Sequence, residues 1–454
     1  MADQHANEIF TRDFIVLATI NLALFFGFQM VTVGMPVYVS QLGADSFTVG
    51  IVTSIFTITA MLVRVFAGAI LDRFGRIGTM ISGIVIMACM VVSYAIFPII
   101  GVIIGLRVVH GLGWGLGSTA TSTLAADIIP KRRFAEGMGY FAMTNAVASA
   151  LAPALSIFLV QGPGALYMLG ISAGFTVLAL ALAMINAKRL SRASAAAQSG
   201  LSPTEAGHEK RPEDTATPDS RLGNIARRDK QPEDVAGRGS RPGDATEHTR
   251  AQPTPTSKFE TFFERRALLP SLAMLLVNIA FGTITTFIAL HAAEQDVPEI
   301  TWYFIIYAIT TVASRPLIGK IIDRTGYRGP SIFATLCTAA TMAAIGMSNS
   351  LPMFCIAGAI GGLGIGGAMS TFQAMAVATV PPWRRGVATS TYFVFFDLGI
   401  AIGSFVGGIV ANALGYTAMY MIMIAFPVLA CIFFLVAGKH RLNTTIPNAK
   451  SSNE

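Results

Sequence analysis

The chain has 454 residues, of which 53% are hydrophobic and only 13% charged, against about 25% charged in an ordinary soluble domain. That balance excludes a soluble globular protein and marks a membrane protein. The formal net charge of +7 is then a matter of which loops carry the basic residues, and it argues against a nucleic-acid patch.

Met1 to Asp13 is polar, and the run that follows, 14–39, is too long for a cleavable signal core. Further apolar runs occupy 47–70, 78–97, 99–126, 136–160 and 165–187, then 268–291, 299–320, 330–348, 352–380, 385–413 and 415–437. Each suffices to cross a hydrocarbon core, which takes about 20 residues of helix. Runs this long and continuous must be helices, because barrel strands are shorter and alternate in polarity. The expectation is an all-α membrane protein of twelve spans in two groups of six. The connections DRFGRIG, IPKRRFAE, the segment 188–266, DRTGYRG, PPWRRG and the tail GKHR carry Lys or Arg, whereas SQLGADS, FPII, QGPG, AAEQDVPE, SNSLP and NALGY carry none. Such alternation predicts that both termini and the central segment are cytoplasmic. Cys89, Cys337, Cys355 and Cys431 fall inside spans without CxxC spacing, so they read as small buried residues and no metal site is expected.

Between the groups of spans, 191–260 is rich in Pro, Gly, Ser and mixed charge and repeats a phrase degenerately: RPED at 211–214, QPED at 231–234, RPGD at 241–244. It is too polar to bury a core and reads as a disordered cytoplasmic linker. The domains expected are therefore 1–190, a six-helix bundle, the linker 191–260, and 261–454, a second bundle with a short tail.

The two groups are copies. At an offset of 251 positions, Arg64 falls on Arg315, Gly68 on Gly319, Asp72 on Asp323, Arg73 on Arg324 and Gly75 on Gly326, and farther along Gly111, Gly113, Gly115 and Pro130 fall on Gly362, Gly364, Gly366 and Pro381. Parallel repeats of this kind are used by transporters to set a substrate site at the midplane between two bundles.

GAILDRFGR at 68–76 resembles the loop motif between helices 2 and 3 of the major facilitator superfamily, and GKIIDRTGYR resembles its weaker copy between helices 8 and 9. Arg107 in LRVVHGLGWG resembles the helix-4 motif, with His110 where Gln is frequent. The resemblance covers all twelve spans. It implies that, only when the cytoplasmic side is closed, Asp72 meets the N-terminus of helix 11 and Arg73 pairs with an acid at the end of helix 4, here Asp127. Gly68, Asp72, Arg73, Gly75, Arg76 and Asp127 are thus expected to form a gate, with Gly319, Asp323, Arg324 and Gly326 as its copy. Anchoring to anionic lipid is the competing reading for Arg76.

Charged groups inside the spans are Arg64, Arg107, Arg315 and Asp397, with His110 also titratable. Intramembrane ionisable residues are costly and are functional candidates by default. Asp397 stands twelve residues beyond Arg385, roughly 18 Å along the helix, near mid-depth. It reads either as the partner of Arg64, since helices 2 and 11 are neighbours in the family, or as a proton acceptor. Matching YFVFFD at 392–397 to YFAMTN at 140–145 makes Asn145 its counterpart in the first half, so a coupling site would be asymmetric. Arg107 and His110 share one helix face, and in the family that helix lines the cavity, which would make them a proton relay or an anion site. Asn21, Gln29, Asn278, Thr285, Thr286, Tyr303 and Tyr307, with Asn145, are cavity candidates or, alternatively, helix-to-helix contacts.

GLGWGLG at 111–117 has dinucleotide-like glycine spacing, but it lies within an apolar span with no strand before it and reads as close helix packing. ALAP at 151–154 keeps the Pro153 of an antiporter helix-5 motif but replaces its glycines by alanines. No catalytic constellation or cofactor site is apparent. The resemblance implies a monomeric, proton-coupled exporter of a small organic compound, drug-like or a metallophore, in the bacterial inner membrane. The alternatives are proton-linked uptake of a sugar or organic anion, and a transporter-shaped receptor or scaffold signalling through the linker.

Overall fold

The computed structural model describes residues 9–130, 133–199, 263–378, 380–381 and 384–441. Among them there is no strand. The helices are α1 (Arg12–Gln41), α2 (Ser46–Phe74), α3 (Arg76–Ile96), α4 (Ile100–Ile128), α5 (Phe134–Gln161), α6 (Ala165–Ser199), α7 (Leu268–Glu294), α8 (Thr301–Thr325), α9 (Arg328–Met347), α10 (Leu351–Ala378), α11 (Arg385–Met423) and α12 (Ala425–Arg441).

The membrane-length pattern predicted from sequence is present. Residues 385–413 and 415–437 run on as one apolar stretch, yet Gly415 within α11 is non-helical at φ 82°. The chain turns there, and residues 416–423 begin the return span that α12 completes. Gly75 and Gly326, both at φ 75°, end α2 and α8 in the repeated phrase. Only glycine adopts that left-handed backbone without strain, so the phrase is repeated in part because the same tight turn is made twice.

α6 runs to Ser199, beyond the expected boundary at 190: Ala196 is buried and Ser194 Oγ donates to Asp127 Oδ2 at 2.8 Å. The first nine residues assigned to the linker are therefore part of the first bundle. The rest of that expectation, 200–262, lies outside the described residues.

Helices α1–α6 pack on one another, and so do α7–α12, in matching pairs: α2 on α4 as α8 on α10, and α1 on α5 as α7 on α11. The GLGWGLG glycines serve this packing, since a Cβ on Gly111 would stand 2.5 Å from the Phe56 carbonyl oxygen. Between the bundles α2 packs on α11, α5 on α8 and α1 on α7. Large apolar side chains such as Leu62, Phe66, Ile309 and Leu317 stay exposed, as helices meeting lipid require.

The cores are not alike at the two ends of the molecule. Toward the end without arginines, one apolar cluster spans both bundles, from Met30 and Val52 to Phe287 and Met419. Toward the arginine-bearing end each bundle keeps its own core, Leu17, Leu124 and Ala179 in the first and Met274, Phe372 and Phe434 in the second. Among the described residues, the polar links between bundles start with Ser46 Oγ to Tyr416 OH at 2.9 Å and continue with Ser54 Oγ donating to the Ala401 carbonyl at 2.9 Å. The last of them is the ion pair of Arg64 with Asp397 at mid-depth. The bundles thus share one apolar core at one end and keep separate cores toward the other.

Candidate functional site

Arg64 lies ten residues before the end of α2 and Asp397 twelve beyond the start of α11, so antiparallel packing brings them level. Arg64 Nη1 is 3.0 Å from Asp397 Oδ2, with side-chain exposures of 19% and 11%. The Arg64 guanidinium also reaches Ser118 Oγ of α4 at 3.4 Å and stands 5.9 Å from the Phe393 ring centroid. Two opposite charges in a poorly hydrated position attract far more strongly than at the surface, and neither is tolerable alone. The pair is therefore an electrostatic latch across the bundle interface. Depth and helix neighbourhood had made this pairing one of two readings of Asp397.

At the arginine-bearing end, Asp127 does have a partner from the repeated phrase, but it is Arg76. The expected partner, Arg73, instead sets its guanidinium 5.6 Å from the ring of Phe74. The reason is local: the turn at Gly75 ends α2 and starts α3, and Arg76, as the first residue of α3, lies beside the last turn of α4, onto which α3 packs. With Ser194 on the same carboxylate, Asp127 ties α3, α4 and α6 together. The expectations for Gly68, Asp72 and Asp323 fall on residues whose side chains lie outside those described. Arg324 is exposed, and a Cβ on Gly319 would meet nothing within 4 Å.

Arg107 and His110 are not in the interface between bundles. Arg107 is 1% exposed, over the rings of Phe56 (5.1 Å) and Tyr94 (5.9 Å), and His110 Nδ1 lies 3.0 Å from Tyr94 OH. Both are enclosed by α2, α3 and α4, because the glycines on the adjoining face of α4 draw α2 close. Tyr94 and Phe56 had no signal in the sequence that set them apart from other core aromatics.

Most of the cavity candidates turn out to join helices. Asn21 Nδ2 donates to Thr144 Oγ1 (2.7 Å) and Asn145 Oδ1 (2.5 Å), and Gln29 Nε2 to Ser149 Oγ (3.1 Å), linking α1 to α5. Asn278 Nδ2 donates to the Phe396 carbonyl (3.0 Å) and Thr286 Oγ1 meets Ser404 Oγ (2.9 Å), linking α7 to α11 in the same manner. Thr285 donates to carbonyls of its own helix. Tyr303 is 1% exposed, packed on α10 and stacked with Tyr307, which alone of the two is partly open. Arg315 is partly exposed on α8, with its Nε buried and without a hydrogen-bond partner.

Among the described residues no group of three or more His, Cys, Asp and Glu side chains is placed to hold a metal ion. The arrangement offers one charge pair across the bundle interface, a guanidinium without a carboxylate among the described residues at similar depth, and a brace at the arginine-bearing end.

Comparison with known proteins gives a consistent picture. The family model described as Major Facilitator Superfamily matches residues 17–298 and 271–452. The chain is 22% identical over 415 residues to the staphylopine export protein of Staphylococcus aureus, covering 90% of this chain and 92% of that one. It is 28% identical over 156 residues to an uncharacterized MFS-type transporter of Burkholderia mallei, covering 34% and 38%. Among solved structures it resembles a bacterial homolog of the human lysosomal transporter Spinster in an inward-facing, unoccupied conformation, with TM-score 0.69, 14% identity and coverage of 96% and 98%. It likewise resembles a POT family transporter in complex with 5-aminolevulinic acid, with TM-score 0.68, 14% identity and coverage of 95% and 97%. At these identities the structural likeness concerns the fold.

Proposed function

This chain belongs to the Major Facilitator Superfamily, and on that premise we propose that it exports a small organic compound in exchange for protons across a bacterial cytoplasmic membrane, by alternating access. The arginine-bearing end is taken as cytoplasmic, which puts the apolar core shared by the two bundles on the outer side. The observation that carries the reading is the Arg64–Asp397 pair, which joins the bundles across the interface that must change during transport.

When the bundles rock, the distance between guanidinium and carboxylate changes. A carboxylate parted from its cation at mid-depth is costly while charged, and protonation of its oxygen removes that cost. Proton uptake from one side and release to the other would then be tied to the two forms of the interface. The relative named as an export protein supports the direction, and a drug-like molecule or metallophore is the expected cargo. Uptake of a sugar or organic anion would draw on the intramembrane arginines, of which Arg64 is already paired and Arg107 is enclosed within one bundle, leaving Arg315. The gate role assigned to Asp72 belongs to the form in which the cytoplasmic end closes.

Asp397→Asn keeps the shape of the side chain and removes its titration. In proteoliposomes the variant is expected to exchange substrate at near the wild-type rate while pH-gradient-driven flux drops at least about tenfold, an energetic change of roughly 1.4 kcal/mol or more. Undiminished gradient-driven flux would remove Asp397 from the coupling. Loss of folding together with both fluxes would make the pair purely structural.

A further inference from the structure

Arg315 is the internal counterpart of Arg64. The two superpose at the 251-residue offset, and they lie mid-helix on α8 and α2, the helices that meet α5 and α11 across the bundle interface. Around Arg64 the charge is met by Asp397. At the related place on α5 the chain carries Asn145 and Ala146, neither of them charged, and Asn145 Oδ1 already accepts from Asn21.

Arg315 consequently has no carboxylate partner among the described residues, and its Nε is buried without an acceptor. One turn earlier on the same face Thr311 Oγ1 is buried, and Tyr307, whose hydroxyl it neighbours, lies one turn beyond. Arg315 as a whole is partly exposed, but its Nε is enclosed, so that side of the guanidinium lies among protein groups. An unmatched positive charge at mid-depth is expensive, and it is retained where a ligand or a moving ion meets it.

We propose that Arg315, with Thr311 and Tyr307, binds a carboxylate group of the transported compound, which completes there the ion pair that Asp397 completes at Arg64. The planar fork of a guanidinium fits a carboxylate with two parallel hydrogen bonds, and the neighbouring hydroxyls add donors to the same oxygens. The substrate class that follows is an organic acid or an amino-carboxylate, with the rest of the molecule lying between the bundles. This assignment rests on the transporter reading for the word transported, whereas the binding site itself does not require flux.

The test uses the purified full-length protein in detergent with iminodiacetate as probe and its uncharged diamide as control. Iminodiacetate is expected to raise Tm by about 2 °C or more and the diamide to leave it unchanged. The shift is lost in Arg315→Gln and partly kept in Arg315→Lys. Asn145→Asp places an acid in the chain where the repeat lacks one. It is expected to raise the Tm of the ligand-free protein and abolish the probe's shift, with the gain in Tm gone in Asn145→Asp combined with Arg315→Gln. Equal shifts from probe and diamide, a shift that survives in Arg315→Gln, or no shift in the wild type would overturn the site. An Asn145→Asp variant indistinguishable from wild type would overturn the symmetry on which it rests. Intact gradient-driven flux beside a failed probe would leave the transport reading standing, and a Tm shift without any flux would do the reverse.

Discussion

Asp127 shows how one carboxylate can organise an end of the molecule. It takes Arg76 from the start of α3 and Ser194 from the extended α6, and with side-chain exposures of 26% and 15% the ion pair is partly shielded from water. Asp127→Asn keeps the size of the side chain but leaves Arg76 without its counter-charge. The expected cost is about 1 kcal/mol of stability, with substrate flux reduced severalfold at matched expression, because the brace holds the ends of α3, α4 and α6 together. Flux and Tm both equal to wild type would make the pair incidental. The acid was legible in the sequence as a member of the repeated phrase's network. Which arginine it takes was not, because Arg73 and Arg76 differ only in the side of the Gly75 turn on which they stand.

At the level of elements, the α2–α11 contact is the seam on which the proposed transport cycle turns. Near the end with the shared core Gly50 faces Gly408 and Ser404, and a Cβ at Gly50 would come 2.5 Å from the Ser404 carbonyl oxygen and 3.1 Å from Gly408 Cα. Backbone cannot yield there as the end of a side chain can, so Gly50→Val should disfavour the form described here by about 1–3 kcal/mol. That corresponds to roughly a tenfold or greater shift of the conformational equilibrium. The measurement is maleimide labelling from outside of a cysteine at Ser54, which is 3% exposed in the form described here. Faster labelling and slower flux are expected with Gly50→Val, and unchanged labelling would show that the seam is not the mobile contact. The small residues were readable as close-packing positions, whereas the assignment of each to a partner helix required the packed bundles. For the same reason Arg107 and His110, placed on one face of α4 by their spacing, were expected to face the cavity and instead face α2 and α3.

For the whole molecule, two bundles with matched internal packing meet chiefly through α2 with α11 and α5 with α8, and are joined in sequence by 200–262. The composition of that segment gives it little apolar surface to contribute to either bundle. Deleting 205–255, which leaves α6 and the Glu264 clamp on Arg384 intact, is expected to preserve folding and flux within about twofold. A well-folded deletion without flux would give the segment a role in the cycle or in signalling, the prospect raised by the receptor reading.

The sequence by itself determined the class, the number and order of spans, the division into two copies and the positions of the intramembrane charges. These follow from local quantities: the length of apolar runs, the fixed rise of a helix, the left-handed turn that only glycine accepts, and identity at a constant offset. Depth, which is also linear in residue number, made the Arg64–Asp397 pair one of two open readings. Only the tertiary structure decided which charges are neutralised. Rotation about each helix axis is set by packing against several neighbours at once, and it turned Arg107 into a closed bundle, gave Asp127 to Arg76, and left Arg315 without a carboxylate among the described residues.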